Sequence, residues 1–172
     1  SGWLALELDT ATASPARLDD AELVDAVVAF ERLSSWALAR QARLLAEFAR
    51  RRPPDSPAAS RCAQPSVASE FAPDEIGLAL RLSRTSVTAR LQQAARLDAE
   101  LPATLTAWES GVIDSGKVRA IVEATTTVAP DKASAVQDRV LGRAGQQTVA
   151  RACQMVCVTR SFQTEEYTHD RD

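Results

Sequence analysis

At 172 residues, 45% of them apolar, the chain holds enough hydrophobic material for one buried core, which excludes wholesale disorder. A net charge of −3 excludes a uniformly basic polyanion binder, so any nucleic-acid contact must come from local clusters. Three cysteines at unhelpful spacings make no disulfide framework.

Alanine is the commonest residue, glycines are few, and no alternating Val/Ile/Thr run of useful length occurs. The expectation is an all-α fold: one long N-terminal helix and a compact bundle of shorter helices containing a helix-turn-helix-like pair. No stretch reaches the roughly 20 apolar residues that span a bilayer, and no basic-then-apolar signal opens the chain. A cytoplasmic location is therefore expected, with no membrane partner.

In chain order, an apolar start (Trp3, Leu4, Leu6, Leu8) and a Thr/Ala/Ser/Pro stretch read as an N-terminal linker over residues 1–17. Asp19 with Glu22 three residues on has capping-box spacing. A long helix over 18–52 follows, stopped by Pro53-Pro54. Leu23, Val27, Phe30, Ala37, Leu44 and Phe48 recur at steps of three and four, interrupted by Ser34 and Gln41. A helix of about 50 Å exceeds a small domain, so this seam is the candidate interface with a second copy or a partner helix.

Residues 53–64 are Pro/Ser/Ala-rich and read as a mobile connection; 65–160 form the bundle; 161–172 are a polar tail. Within the bundle, Phe71 to Leu82 reads as a helix capped near Asp74, and Arg84 to Ala99 as one capped by Ser83. Pro102 opens a helix ending at Gly111. Asp114 or Ser115 caps the next, with Val118, Ile121 and Val122 inward. Another starts at Pro130, carries Ala133, Val136, Val140 and Leu141, and closes at Gly142 and Gly145. Thr148 to Arg160 reads as the last.

The segment Pro73 to Ala94 has the pattern of a helix-turn-helix. Ile76, Ala79 and Leu80 are expected to brace a second helix anchored by Val87 and Leu91, with Arg81-Leu82-Ser83 as a turn lacking the usual glycine. Arg81, Ser83, Arg84, Thr85, Ser86, Thr88 and Arg90 are then the candidate contacts to double-stranded DNA, since arginine reaches guanine or phosphate and hydroxyls reach phosphate. Arg96 and the Arg40 to Arg61 cluster would extend that surface. The plainer alternative is an ordinary helix pair with a solvated arginine face.

Gly111 to Lys117 imitates a phosphate-binding loop, but a helix pattern precedes it and Val118 has no hydroxyl for magnesium; a helix connection explains both glycines. Cys153 and Cys157 lie one turn apart, with Cys62 and the single His169 remote, which reads as buried thiols and not a zinc site. No nucleophile–base or acid–base pair can be named, so no catalytic residue, metal, cofactor or small-molecule site is expected.

Leu18-Asp-Asp-Ala-Glu-Leu, Asp74-Glu-Ile-Gly-Leu-Ala-Leu-Arg-Leu-Ser-Arg, Leu101-Pro-Ala-Thr-Leu and Glu109-Ser-Gly-Val-Ile-Asp-Ser-Gly-Lys-Val-Arg-Ala-Ile together resemble the 13E12-repeat family, also called domain of unknown function 222. The resemblance runs from Leu18 to Arg160. It implies an actinobacterial origin and an association with DNA cleavage or mobile elements, because many members carry an HNH endonuclease domain downstream. An HNH centre needs several histidines and this chain has one. The expected function is accordingly a non-catalytic DNA-binding or DNA-targeting domain serving a nuclease absent from this chain. The alternative is an interaction or dimerisation module using the long helix.

Overall fold

A computed structural model describes residues 2–54, 67–126 and 130–144, together with Arg151. The expected connection after Pro54, the last helix apart from Arg151, Gly145, Arg61, the polar tail, all three cysteines and His169 lie outside the described residues.

Among the described residues the fold is all-α. Helix α1 spans Gly2–Ala11, α2 Asp20–Arg51, α3 Ala72–Leu80, α4 Arg84–Ala99, α5 Pro102–Glu109, α6 Ser115–Thr125 and α7 Pro130–Ala144, with a single 3-10 turn at Pro15–Arg17. The expected N-terminal linker is thus largely helical. Its Leu, Ala and Glu residues favour helix, and the threonine hydroxyls of Thr10 and Thr12 bond back to the Leu6 and Leu8 carbonyls. None of its described residues is buried.

The capping box at the start of α2 forms as expected: the Asp19 carboxylate accepts from the Glu22 amide at 2.8 Å, and Glu22 accepts from the Asp19 amide at 2.9 Å. Thirty-two residues give this helix a length of about 48 Å. Its buried face is Ser35, Ala39, Ala42, Ala46 and Ala49, again at steps of three and four but rotated from the expected seam. Alanine lets other helices approach the backbone closely, so the bundle assembles on the small residues and leaves the large ones outside. Leu23, Val27, Phe30, Ala37 and Leu44 are exposed, while Phe48 is half-buried against the core.

Two adjoining cores result. The larger joins the alanine face of α2 to Leu97, Leu101, Leu105, Ile113, Ile121 and Val136. The smaller gathers Ala49, Ala68, Ala72, Val87 and Leu91 under the α3–α4 pair. Burying a leucine or isoleucine contributes about 1.5–3 kcal/mol each, so the first cluster dominates stability.

Tertiary packing also supplies caps that the local sequence lacks. Leu101 stands at the α5 N-cap, is fully buried and offers no acceptor. Gln137 of α7 does so instead, its buried Oε1 accepting from the Thr104 amide at 2.9 Å and from the Thr104 hydroxyl at 3.0 Å. Trp108 is a different case. Its indole N–H is buried with no acceptor among the described residues, a deficit that costs about 1–3 kcal/mol.

Candidate nucleic-acid interface

Helix α3 begins without a side-chain cap at Phe71; Asp74, expected to cap it, lies one turn inside and faces the helix dipole with Glu75. The α3 face that holds α4 also differs from expectation. Ala79 and Leu80 are exposed, Ile76 is half-buried, and the contact falls on Ala72, Pro73 and Gly77. Gly77 is needed there for space. A Cβ on it would stand 3.1 Å from the Leu82 carbonyl oxygen and 3.9 Å from Val87 Cγ2.

Arg81 ends α3 in the left-handed region, at φ 56° and ψ 41°, where glycine is the common occupant. Its amide and that of Leu82 both bond to the Gly77 carbonyl, the latter at 3.0 Å. Ser83 then caps α4, its hydroxyl accepting from the Ser86 amide at 3.2 Å and sharing a 2.8 Å hydrogen bond with the Ser86 hydroxyl. Val87, Leu91, Ala94 and Leu97 are buried as a regular stripe. Arg84, Thr85, Ser86 and Arg90 are left exposed, and Thr88 is half-buried with its hydroxyl donating to the Arg84 carbonyl at 2.9 Å.

The cations of this surface are unequal. Arg84 donates to Asp74 Oδ2 at 2.6 Å and to the Glu70 carbonyl at 2.8 Å. Arg81 and Arg90 are exposed and make no ion pair among the described residues. The arginines expected to widen the surface are engaged elsewhere. Arg43 and Arg40 donate to Glu109 at 2.8 and 3.2 Å; the Arg43 hydrogen bond is the main reason that carboxyl titrates below its ordinary range, with Arg40 adding to it. Arg50 and then Arg51 hold Glu47 down in the same way. Arg52 pairs with Glu75 and lies 5.1 Å over the Phe48 ring.

Arg96 corrects the expectation most sharply. It donates to Glu100 at 2.9 Å, to the Val122 carbonyl at 3.1 Å, to the Thr126 hydroxyl at 2.6 Å and to the Thr125 carbonyl. A guanidinium at the C-terminal end of α6 satisfies carbonyls that have no helical partner and meets the negative end of the dipole. It is a structural cap. The Arg96–Glu100 spacing was visible in sequence, but the approach of α6 was not.

The glycine–lysine segment between α5 and α6 is a helix connection, as its pattern indicates. Gly111 has φ +73°, Asp114 caps α6 through the Lys117 amide at 2.9 Å, and the Lys117 ammonium lies 3.1 Å from the same carboxylate. Among the described residues, no group of three or more His, Cys, Asp or Glu side chains could hold a metal. No helix there is long and apolar enough to cross a membrane.

These features define an α-helical bundle domain built on one long helix, with an exposed helix-turn-helix-like pair at one end of its core. The chain belongs to the family described as Domain of unknown function (DUF222), which matches residues 31–160. The match leaves α1 and the first turns of α2 outside the family region. Comparison with curated proteins found no match, and neither did comparison with solved structures.

Proposed function

We propose that this chain is a non-catalytic DNA-binding or DNA-targeting domain, working in the cytoplasm of an actinobacterium-type host beside an HNH-type nuclease carried outside this chain. The observation that supports the reading is the first half of α4: Val87 and Leu91 anchor it in the core while Arg84, Thr85, Ser86 and Arg90 remain exposed. Arg81 adds a cation at the turn. With Arg81 and Arg90 as phosphate contacts and Arg84 held by Asp74, the salt slope of log K is about −2 per protomer. Such a domain binds DNA weakly unless a second copy or a fused domain adds contacts.

Fluorescence anisotropy with a labelled duplex at low ionic strength tests this. Binding that weakens with salt, and that Arg84→Ala with Arg90→Ala reduces and flattens, is the expected result. Absence of any salt-sensitive binding would end the proposal.

A second reading has its own support. Trp3, Val24, Val27 and Leu44 are 78, 62, 68 and 71% exposed, an apolar display that monomeric surfaces seldom carry along one arm. Self-association through α1 and α2 would pair two helix-turn-helix heads, the arrangement that reads two half-sites. Light scattering that gives a monomer mass at every concentration would remove it.

A further inference from the structure

The packing stripe of α2 does not stop where the bundle does. Ser35, Ala39, Ala42, Ala46 and Ala49 are its buried part. The same steps of three and four carry the line back through Glu31, Val28 and Val24 to Asp20. The bundle closes at Arg32, where a Cβ on Gly111 of the α5–α6 turn would stand 3.4 Å from the Arg32 Cα. Helix α1 packs against α2, yet Val24 and Val28 stay exposed, as does Val112 beside Gly111. An uncovered continuation of a packing face has room for one more helix.

The second observation is the charge around that continuation. Between Gly2 and Glu31 seven carboxylates are set against one arginine, Arg17, a net charge of −6. None of the seven has an ion-pair partner among the described residues, whereas eight of the ten described carboxylates beyond Arg32 do. On the stripe itself Asp20 lies one turn before Val24 and Glu31 one turn after Val28, so an acid closes each end of the apolar pair. A field of this kind repels nucleic acid and anionic membranes and attracts a basic partner.

We propose that this stripe docks a basic amphipathic helix of a partner protein. The partner's apolar residues sit on Val24 and Val28, and its lysines or arginines, one turn to either side, meet Asp20 and Glu31. A second copy of this chain fits the stripe less well. Paired in parallel, each acid of the stripe meets itself; paired antiparallel, Asp20 meets Glu31. The α2 arginines that would offset this repulsion are already held by Glu109, Glu47 and Glu75. The α3–α4 pair packs near the other end of α2, at Ala49, so docking leaves the proposed DNA face open. The inference does not rest on the DNA reading.

The probe is a labelled helical peptide of about 15 residues, with leucines at steps of three and four and lysines on either side. Its counterpart carries glutamate for each lysine. Each is titrated with the full chain at low ionic strength and read by fluorescence anisotropy. The lysine peptide should bind saturably and about tenfold or more tighter than its counterpart. Val24→Ser with Val28→Ser should weaken it about tenfold, while Leu78→Ser, which removes a more exposed apolar side chain from α3, should leave it unchanged. Both valines are exposed, so the double variant keeps the fold, which circular dichroism verifies. No saturable binding at peptide concentrations on the order of 1 mM, equal binding of the glutamate peptide, unchanged affinity in the valine variant, or an equal loss in Leu78→Ser would each overturn the proposal. A concentration-dependent dimer that the valine variant abolishes would overturn it too, by assigning the stripe to a second copy. The assay contains no DNA, so its failure and failure of the DNA reading are distinguishable.

Discussion

Arg84 Nη1 lies 2.6 Å from Asp74 Oδ2, tying the start of α4 to the first turn of α3. The bridge braces the helix pair, but it also occupies a cation that DNA binding would require. Both side chains are about half exposed, so the pair stabilises the fold by no more than about 1 kcal/mol.

Asp74→Ala should therefore tighten DNA binding while lowering stability by at most about 1 kcal/mol. The salt slope should steepen by about one unit, and the gain should vanish when Arg84→Ala is added. Anisotropy across a salt series, beside chemical denaturation, reads both quantities.

Arg81→Gly should separate folding from binding. Relief of the left-handed backbone is worth about 1–2 kcal/mol, partly offset by the greater freedom of glycine in the unfolded chain, leaving a gain of about 0.5–1 kcal/mol. DNA affinity should fall in the same variant, because an exposed unpaired guanidinium is lost. A variant that melts higher and binds DNA as well as the parent would remove Arg81 from the interface.

Arg96→Lys should lose about 1–3 kcal/mol of stability, since an ammonium cannot fork between the Val122 and Thr125 carbonyls. DNA affinity per folded molecule should not change. A drop in affinity at constant stability would return Arg96 to the binding surface.

Gly111→Ala should cost about 2 kcal/mol or more. The substitution strains a backbone at φ +73° and places a Cβ 3.0 Å from Arg32 Cγ and 3.4 Å from Arg32 Cα, so the α5–α6 turn must retreat from α2. Thermal unfolding of the single variant measures it.

Asp114 supplies a pH test. Burial pushes its carboxyl up, but the Lys117 amide, the Lys117 ammonium and the Gly116 amide together outweigh this, and the net shift is downward. A lowered folded value means the charged cap stabilises fully above the ordinary aspartate range and is lost as pH falls through that folded value. Asp114→Ser keeps an acceptor and drops the charge. It should cost about 0.5 kcal/mol at neutral pH, a small figure because the carboxylate is partly solvated, and the difference should begin to shrink below about pH 4 and close only below the lowered folded value. A difference constant from pH 7 to pH 3 would refute the assignment.

Local chemistry was legible wherever neighbours along the chain decide the outcome. Asp19 and Glu22 form their reciprocal cap, Ser83 caps α4, Asp114 caps α6, and the stripe through Val87 and Leu91 is buried where its spacing places it. Each involves residues within about one turn of one another, so the sequence interval fixes the geometry. The candidate interface was readable to the same extent: Arg84, Thr85, Ser86 and Arg90 are exposed because they flank that stripe.

Two seams of similar period run along α2, one of large apolar residues and one of alanines, and periodicity alone cannot rank them. Close helix packing chose the alanines. The same dependence governs Gly77 taking the place expected of Ala79 and Leu80, and Gln137 capping a helix more than thirty residues away. It also governs the arginines, because a guanidinium's availability depends on which carboxylate or carbonyl the fold brings to it. Sequence by itself determined most of the helices, α1 excepted, and the caps of α2, α4 and α6, through interactions spanning three or four residues. Only the tertiary structure decided which faces meet and which charges stay free, since both follow from distances between segments that the chain order leaves open.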